Sequence, residues 1–78
     1  MEFKQGHFYR MRNGEPAMYW GEDDFNGDYP LCFQFEEDGC VEGRGYTLDG
    51  RFDIDEQTPW DIVEEWLDIP LELRVMFD

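Results

Sequence analysis

The sequence predicts a mainly β (α+β) protein: a small twisted antiparallel sheet or half-barrel with one short C-terminal helix. Three observations predict it. Turn-forming dipeptides recur at near-even spacing, Asn13-Gly14, Asn26-Gly27, Asp38-Gly39 and Asp49-Gly50, at intervals of 13, 12 and 11 residues. Such dipeptides accept the positive φ angles of tight hairpin turns, and short strands punctuated this way read as an antiparallel meander. Leu31, Phe33 and Phe35 alternate with Cys32, Gln34 and Glu36, the period of a half-buried strand. Thr58-Pro59 followed by Asp61 has the form of a helix start, and Ile62, Val63, Trp66 and Leu67 would share one side of the helix it opens.

Taken in order, residues 7–12 form the first strand, with Phe8, Tyr9 and Met11 among Arg10 and Arg12. Residues 16–21 form the second, carrying Met18, Tyr19 and Trp20 after Pro16. Residues 30–36 form the third, residues 40–47 its partner, and residues 51–54 a short further piece. With Asp38-Gly39 as a two-residue hairpin loop, Glu37 faces Cys40, Phe35 faces Glu42 and Cys32 faces Gly45. Cys32 and Cys40 then point to opposite faces of the sheet, so a disulfide between them is not expected. The helix is expected from Thr58 to residue 68 or 69, where Pro70 stops it, with Asp61, Glu64, Glu65 and Asp68 on its outer side. Residues 71–77 alternate Leu71, Leu73, Val75 and Phe77 against Glu72, Arg74 and Met76, and are expected as a final strand. The tryptophans Trp20, Trp60 and Trp66 are expected in or at the edge of the core.

The composition bounds what such a fold can do. The 78 residues make one acidic domain, 1–78, with 20 acidic and 6 basic side chains and a formal charge of −14. Fourteen aromatic residues mark a folded chain, because disordered chains are poor in them. Direct binding to nucleic acid needs a basic face, and an anionic membrane surface repels a chain of this sign. No apolar run reaches the ~20 residues that span a bilayer and no basic-then-apolar leader opens the chain, so the expected location is the cytoplasm.

Catalytic arrangements thin out as quickly. Serine is absent, and His7 is the one histidine. A Ser-His-Asp triad is therefore impossible, and a Cys-His pair could use only His7. Asp24, Asn26 and Asp28 match the first, third and fifth ligands of a calcium loop, but Tyr29 and Phe35 stand where its glycine and bidentate acid belong. No enzyme activity, cofactor or metal is expected.

The surplus acids remain. Residues 1–39 carry −6 and residues 40–78 carry −8, so the charge is not confined to a tail. A net charge of magnitude ~2–8 is enough to keep a small domain soluble. The excess costs stability through self-repulsion, which argues for a use. Carboxylates two apart on a strand or a turn apart on a helix repeat at about 5–7 Å, comparable to phosphates along a nucleic-acid strand.

Four segments, Phe8-Tyr9-Arg10-Met11-Arg12-Asn13-Gly14, Gly27-Asp28-Tyr29-Pro30-Leu31, Leu48-Asp49-Gly50-Arg51-Phe52 and Thr58-Pro59-Trp60-Asp61-Ile62-Val63, resemble a widespread group of small phage and prophage proteins. The resemblance runs over residues 8–66. Its motifs are turns and a helix start, so it implies a fold and no catalytic residues. By analogy of type it implies an inhibitor of bacterial immunity, such as an anti-CRISPR protein, acting in the host cytoplasm.

The expected function is a phage-type, non-enzymatic inhibitor whose acidic surface binds a basic, nucleic-acid-handling bacterial protein. Its expected contacts are Glu22, Asp23, Asp24, Asp28, Glu36, Glu37 and Asp38 in the turns and Asp61, Glu64, Glu65 and Asp68 on the helix, with Tyr29 as an exposed anchor. The alternative is an accessory module that docks by apolar contacts or strand pairing. It would use a free sheet edge or residues 71–77, self-association into a homodimer included.

Overall fold

The computed structural model describes residues 1–23 and 27–77. Five antiparallel strands form one open sheet: β1 (Phe8–Met11), β2 (Pro16–Glu22), β3 (Leu31–Glu37), β4 (Cys40–Tyr46) and β5 (Ile62–Glu65). A short helix, α1 (Leu71–Arg74), and a 3-10 turn, Val75–Phe77, follow. The spatial order is β4-β3-β2-β1-β5, so β4 and β5 are the two edges. The mainly β class with one short C-terminal helix is what the sequence predicts.

The hairpins form as their dipeptides dictate. Asp38 and Gly39 both take positive φ, 52° and 84°, and the β3–β4 register pairs Glu37 with Cys40, Phe35 with Glu42 and Cys32 with Gly45. Gly14 takes φ 88°, and the Asn13 side chain accepts the Glu15 N–H at 2.8 Å to close the β1–β2 turn. Asn26 lies outside the described residues. Cys32 and Cys40 are free thiols.

One face of the sheet carries the core. Tyr9, Met11, Ala17, Tyr19, Leu31, Phe33, Phe35, Tyr46 and Ile62 are buried there, with Phe3 and Phe52 packed against them. Residues 47–61 cross this face without a strand, so the expected short piece at 51–54 is absent; Phe52 instead plugs into Phe35, Tyr46 and Trp60. Gly50 is where this segment passes closest. It takes φ 84°, and a Cβ there would lie 2.9 Å from Phe3 Cζ and 3.2 Å from Ile62 Cβ. Gly50→Ala is expected to cost about 2 kcal/mol, from the left-handed backbone and the overlap together. Urea unfolding of the variant checks it.

Two expectations exchange places. Residues 58–68 are not a helix: Ile62–Glu65 is strand β5. The Asp61 carboxylate does accept the Thr58 N–H, as a helix start would have it, but the chain then extends because β1 offers an open edge. Tyr9 pairs with Glu65, Arg10 with Glu64 and Met11 with Ile62 across a bulge. Pairing overrides local helix preference here. Residues 71–77 are not a strand: Pro70 leads into α1, and the half-buried side chains are Leu73, Met76 and Phe77, at helical spacing. Leu71 and Val75, which a strand would have buried, are 70% and 50% exposed. The segment closes on the outer face of the sheet, Phe77 stacking edge-on to Phe8 at 5.3 Å.

Candidate acidic interface

The hairpin geometry decides which acids meet. Glu22 lies opposite Leu31, while Glu36, Glu37 and Asp38 close the far end of β3. At ~3.3 Å per residue the two groups are about 20 Å apart. The structure thus divides the expected contacts. Glu36, Glu37 and Asp38 sit together. Glu22, Asp23 and Asp28 belong to the opposite end, and Asp24 lies outside the described residues. Glu64 and Glu65 are on β5 rather than on a helix; the Arg10 guanidinium lies 3.6 Å from Glu64, and the His7 Nδ1 lies 3.1 Å from Glu65. Asp68 is exposed on the connection to α1.

Two expected contacts are instead part of the scaffold. Asp61 is 3% exposed. Its carboxylate accepts the Phe52 N–H at 2.9 Å, the Thr58 N–H at 3.1 Å and the Thr58 hydroxyl at 2.9 Å, and the Arg12 guanidinium is 3.5 Å away. Burial alone would raise this carboxyl; the Phe52 and Thr58 donors and Arg12 together hold it below its ordinary value. Tyr29 is half-buried, and its hydroxyl accepts the Ile54 N–H at 3.1 Å, so it pins the crossing segment instead of standing free. Among the tryptophans, Trp20 is 54% exposed, Trp60 borders the surface, and Trp66 is half-buried beneath the Arg10 guanidinium, 4.3 Å from its ring.

The β3–β4 hairpin end gains two acids that turn counting missed. Continuing the Met18–Gln34 register brings Glu15 level with Glu37, and Glu42 lies opposite Phe35 on the neighbouring strand. Adjacent strands are ~4.8 Å apart, so Glu15, Glu36, Glu37, Asp38 and Glu42 share one end of the sheet. The signal was in the two hairpin registers, which place residues on neighbouring strands side by side. Arg44 holds Glu37 and Glu42, the latter at 2.9 Å. Glu36 accepts the Gly39 N–H at 2.6 Å, which fixes its position without neutralising it. Among the described residues Glu15, Glu36 and Asp38 have no salt-bridge partner, and Arg12 at this end is committed to Asp61.

The thiols and the histidine do not meet. Cys32 and Cys40 are on β3 and β4, and β2 separates them from His7 at the start of β1. Burial pushes the Cys32 thiol up, away from an activated thiolate. Among the described residues no group of His, Cys, Asp or Glu side chains is arranged to hold a metal ion, and no helix is long and apolar enough to cross a membrane. No protein-family model, curated protein or solved structure matches the chain.

Proposed function

We propose that the protein is a non-enzymatic inhibitor of the phage type, presenting its acidic hairpin end to a basic, nucleic-acid-handling surface of a bacterial protein, an anti-CRISPR or similar anti-defence role. The observation that supports this best is the set Glu15, Glu36, Glu37, Asp38 and Glu42 on two adjacent hairpins, to which, among the described residues, Arg44 alone is salt-bridged. The carboxylates are carried by paired strands and a tight turn, so little ordering entropy is lost when they meet a partner. Fixed anions at strand spacing imitate a phosphate row and draw a basic channel from a distance.

Capture from a bacterial lysate tests the proposal. The immobilised chain is expected to retain nucleic-acid-binding proteins at low salt, and added double-stranded DNA should displace them. A chain carrying Glu15→Gln, Glu36→Gln, Asp38→Asn and Glu42→Gln should associate on the order of tenfold more slowly. Glu36→Gln keeps an oxygen for the Gly39 N–H, and asparagine suits the positive φ of position 38, so the hairpin persists. Capture that ignores both salt and DNA would refute the decoy.

A further inference from the structure

The two edges of the sheet differ in a way that bears on assembly. β5 is four residues long and bulged against β1, which blunts it. β4 is seven residues long, pairs with β3 without a register break, contains no proline and has no strand on its other side among the described residues. Native proteins with an open sheet usually blunt such an edge.

The hairpin determines which backbone groups the edge offers. The positive φ angles at Asp38 and Gly39 make a two-residue turn, whose closing pair, Glu37 and Cys40, exchanges hydrogen bonds. Alternation then turns Glu42, Arg44 and Tyr46 toward β3, and leaves the N–H and C=O groups of Val41, Gly43 and Gly45 facing outward. Gly43 and Gly45 carry no side chain on the outer face of this edge. Gly43 needs no left-handed backbone; a Cβ there would lie 3.2 Å from Cys32 Sγ on β3, so its own sheet accounts for this glycine, and the bare outer face it leaves lets a second strand approach.

We propose that β4 is the seam of a homodimer, in which two copies pair antiparallel about a two-fold axis at Gly43. In this register Val41 faces Gly45 of the second copy and Gly43 faces Gly43, so outward backbone groups meet outward backbone groups. Glu42 then stands directly opposite Arg44 of the second copy, and Arg44 opposite its Glu42. These are non-hydrogen-bonded pairs, where side chains approach most closely. Neighbouring registers fail on charge. Centring the axis on Glu42 opposes two glutamates, and centring it on Arg44 opposes two arginines. Arg44 at present holds its own Glu37, its own Glu42 at 2.9 Å and its own Gly43 carbonyl at 3.0 Å, and pairing exchanges the last two contacts for equivalent ones across the seam. The inference rests on β4 alone and needs no basic partner.

Sedimentation equilibrium at ~0.15 M salt, where long-range repulsion between two acidic bodies is largely screened, tests it. The native chain is expected to show a concentration-dependent dimer. Glu42→Arg and Arg44→Glu each oppose like charges at both crossings, and each should weaken self-association on the order of tenfold or more. Mixed together, the two variants again oppose unlike charges and should form a heterodimer. Circular dichroism confirms that each variant is folded before mixing. A native chain that stays monomeric, whose edge would then await a strand of another protein, overturns the proposal, as does a mixture that fails to associate.

Discussion

Asp61→Ala is expected to lower stability by about 3–5 kcal/mol, the range for stripping one partner from a buried, charged hydrogen-bond network. The Phe52 N–H, the Thr58 N–H and the Thr58 hydroxyl all lose their acceptor, and Arg12 loses its counter-ion. These contacts tie the crossing segment 47–61 to the turn before β5, so their loss loosens the cover of the core. Asp61→Asn keeps the shape but sets an amide donor against the Thr58 N–H or Arg12, and it should fall between the two. The pH dependence follows from the lowered carboxyl. Folded Asp61 releases its proton more readily than the unfolded chain does, so its contribution is complete above its ordinary value of 3.8 and is lost as pH falls through the lower folded value. The stability gap between native protein and Asp61→Asn should therefore shrink as pH drops below about 4. Urea titrations at pH 7 and at pH 3 measure it; a gap that widens in acid would contradict the assignment.

Phe33→Ala has an effect of similar size for an apolar reason. Phe33 is fully buried at the centre of an aromatic cluster, its ring 4.8 Å from Tyr46, 5.1 Å from Phe3, 5.1 Å from Tyr19 and 5.8 Å from Tyr9. Truncation removes the ring and leaves a cavity between partners that sheet pairing holds apart, at a cost of about 3–5 kcal/mol. In a domain of this size that corresponds to a drop of roughly 15–30 °C in Tm. Phe33→Leu, which fills most of the space, should lose much less. Thermal unfolding followed by near-ultraviolet circular dichroism resolves the two, because the probe reports the ring cluster itself.

The cluster around Phe33 was legible in the sequence because strand alternation is a local signal. Leu31, Phe33 and Phe35 face inward as their period requires, and the Asp38-Gly39 turn sets the β3–β4 register down to the opposed Cys32 and Gly45. The same turn made the separation of the two cysteines readable. What the sequence hid was competition between distant segments. Thr58, Pro59 and Asp61 do make the local contacts of a helix start, yet the unpaired side of β1 takes Ile62–Glu65 as a strand. That exchange moved Glu64 and Glu65 from a supposed helix side to a sheet edge, and turned Asp61 from a surface anion into a buried acceptor. Residues 71–77 alternate in sequence, but Pro70 and the run Leu71–Arg74 favour a helix, whose half-buried Leu73 and the following Met76 and Phe77 fall at helical spacing. Glu15 and Glu42 join the hairpin acids only through pairing between strands, which composition and turn spacing alone do not reveal.

The hairpin acids themselves are tested most directly by the salt dependence of affinity for a captured nucleic-acid-binding protein. Affinity should be measured across a range of salt for the native chain and for the chain neutralised at Glu15, Glu36, Asp38 and Glu42. Native binding is expected to weaken steeply as salt rises, and the neutralised chain to give a distinctly shallower slope. Equal slopes for the two chains would contradict the decoy.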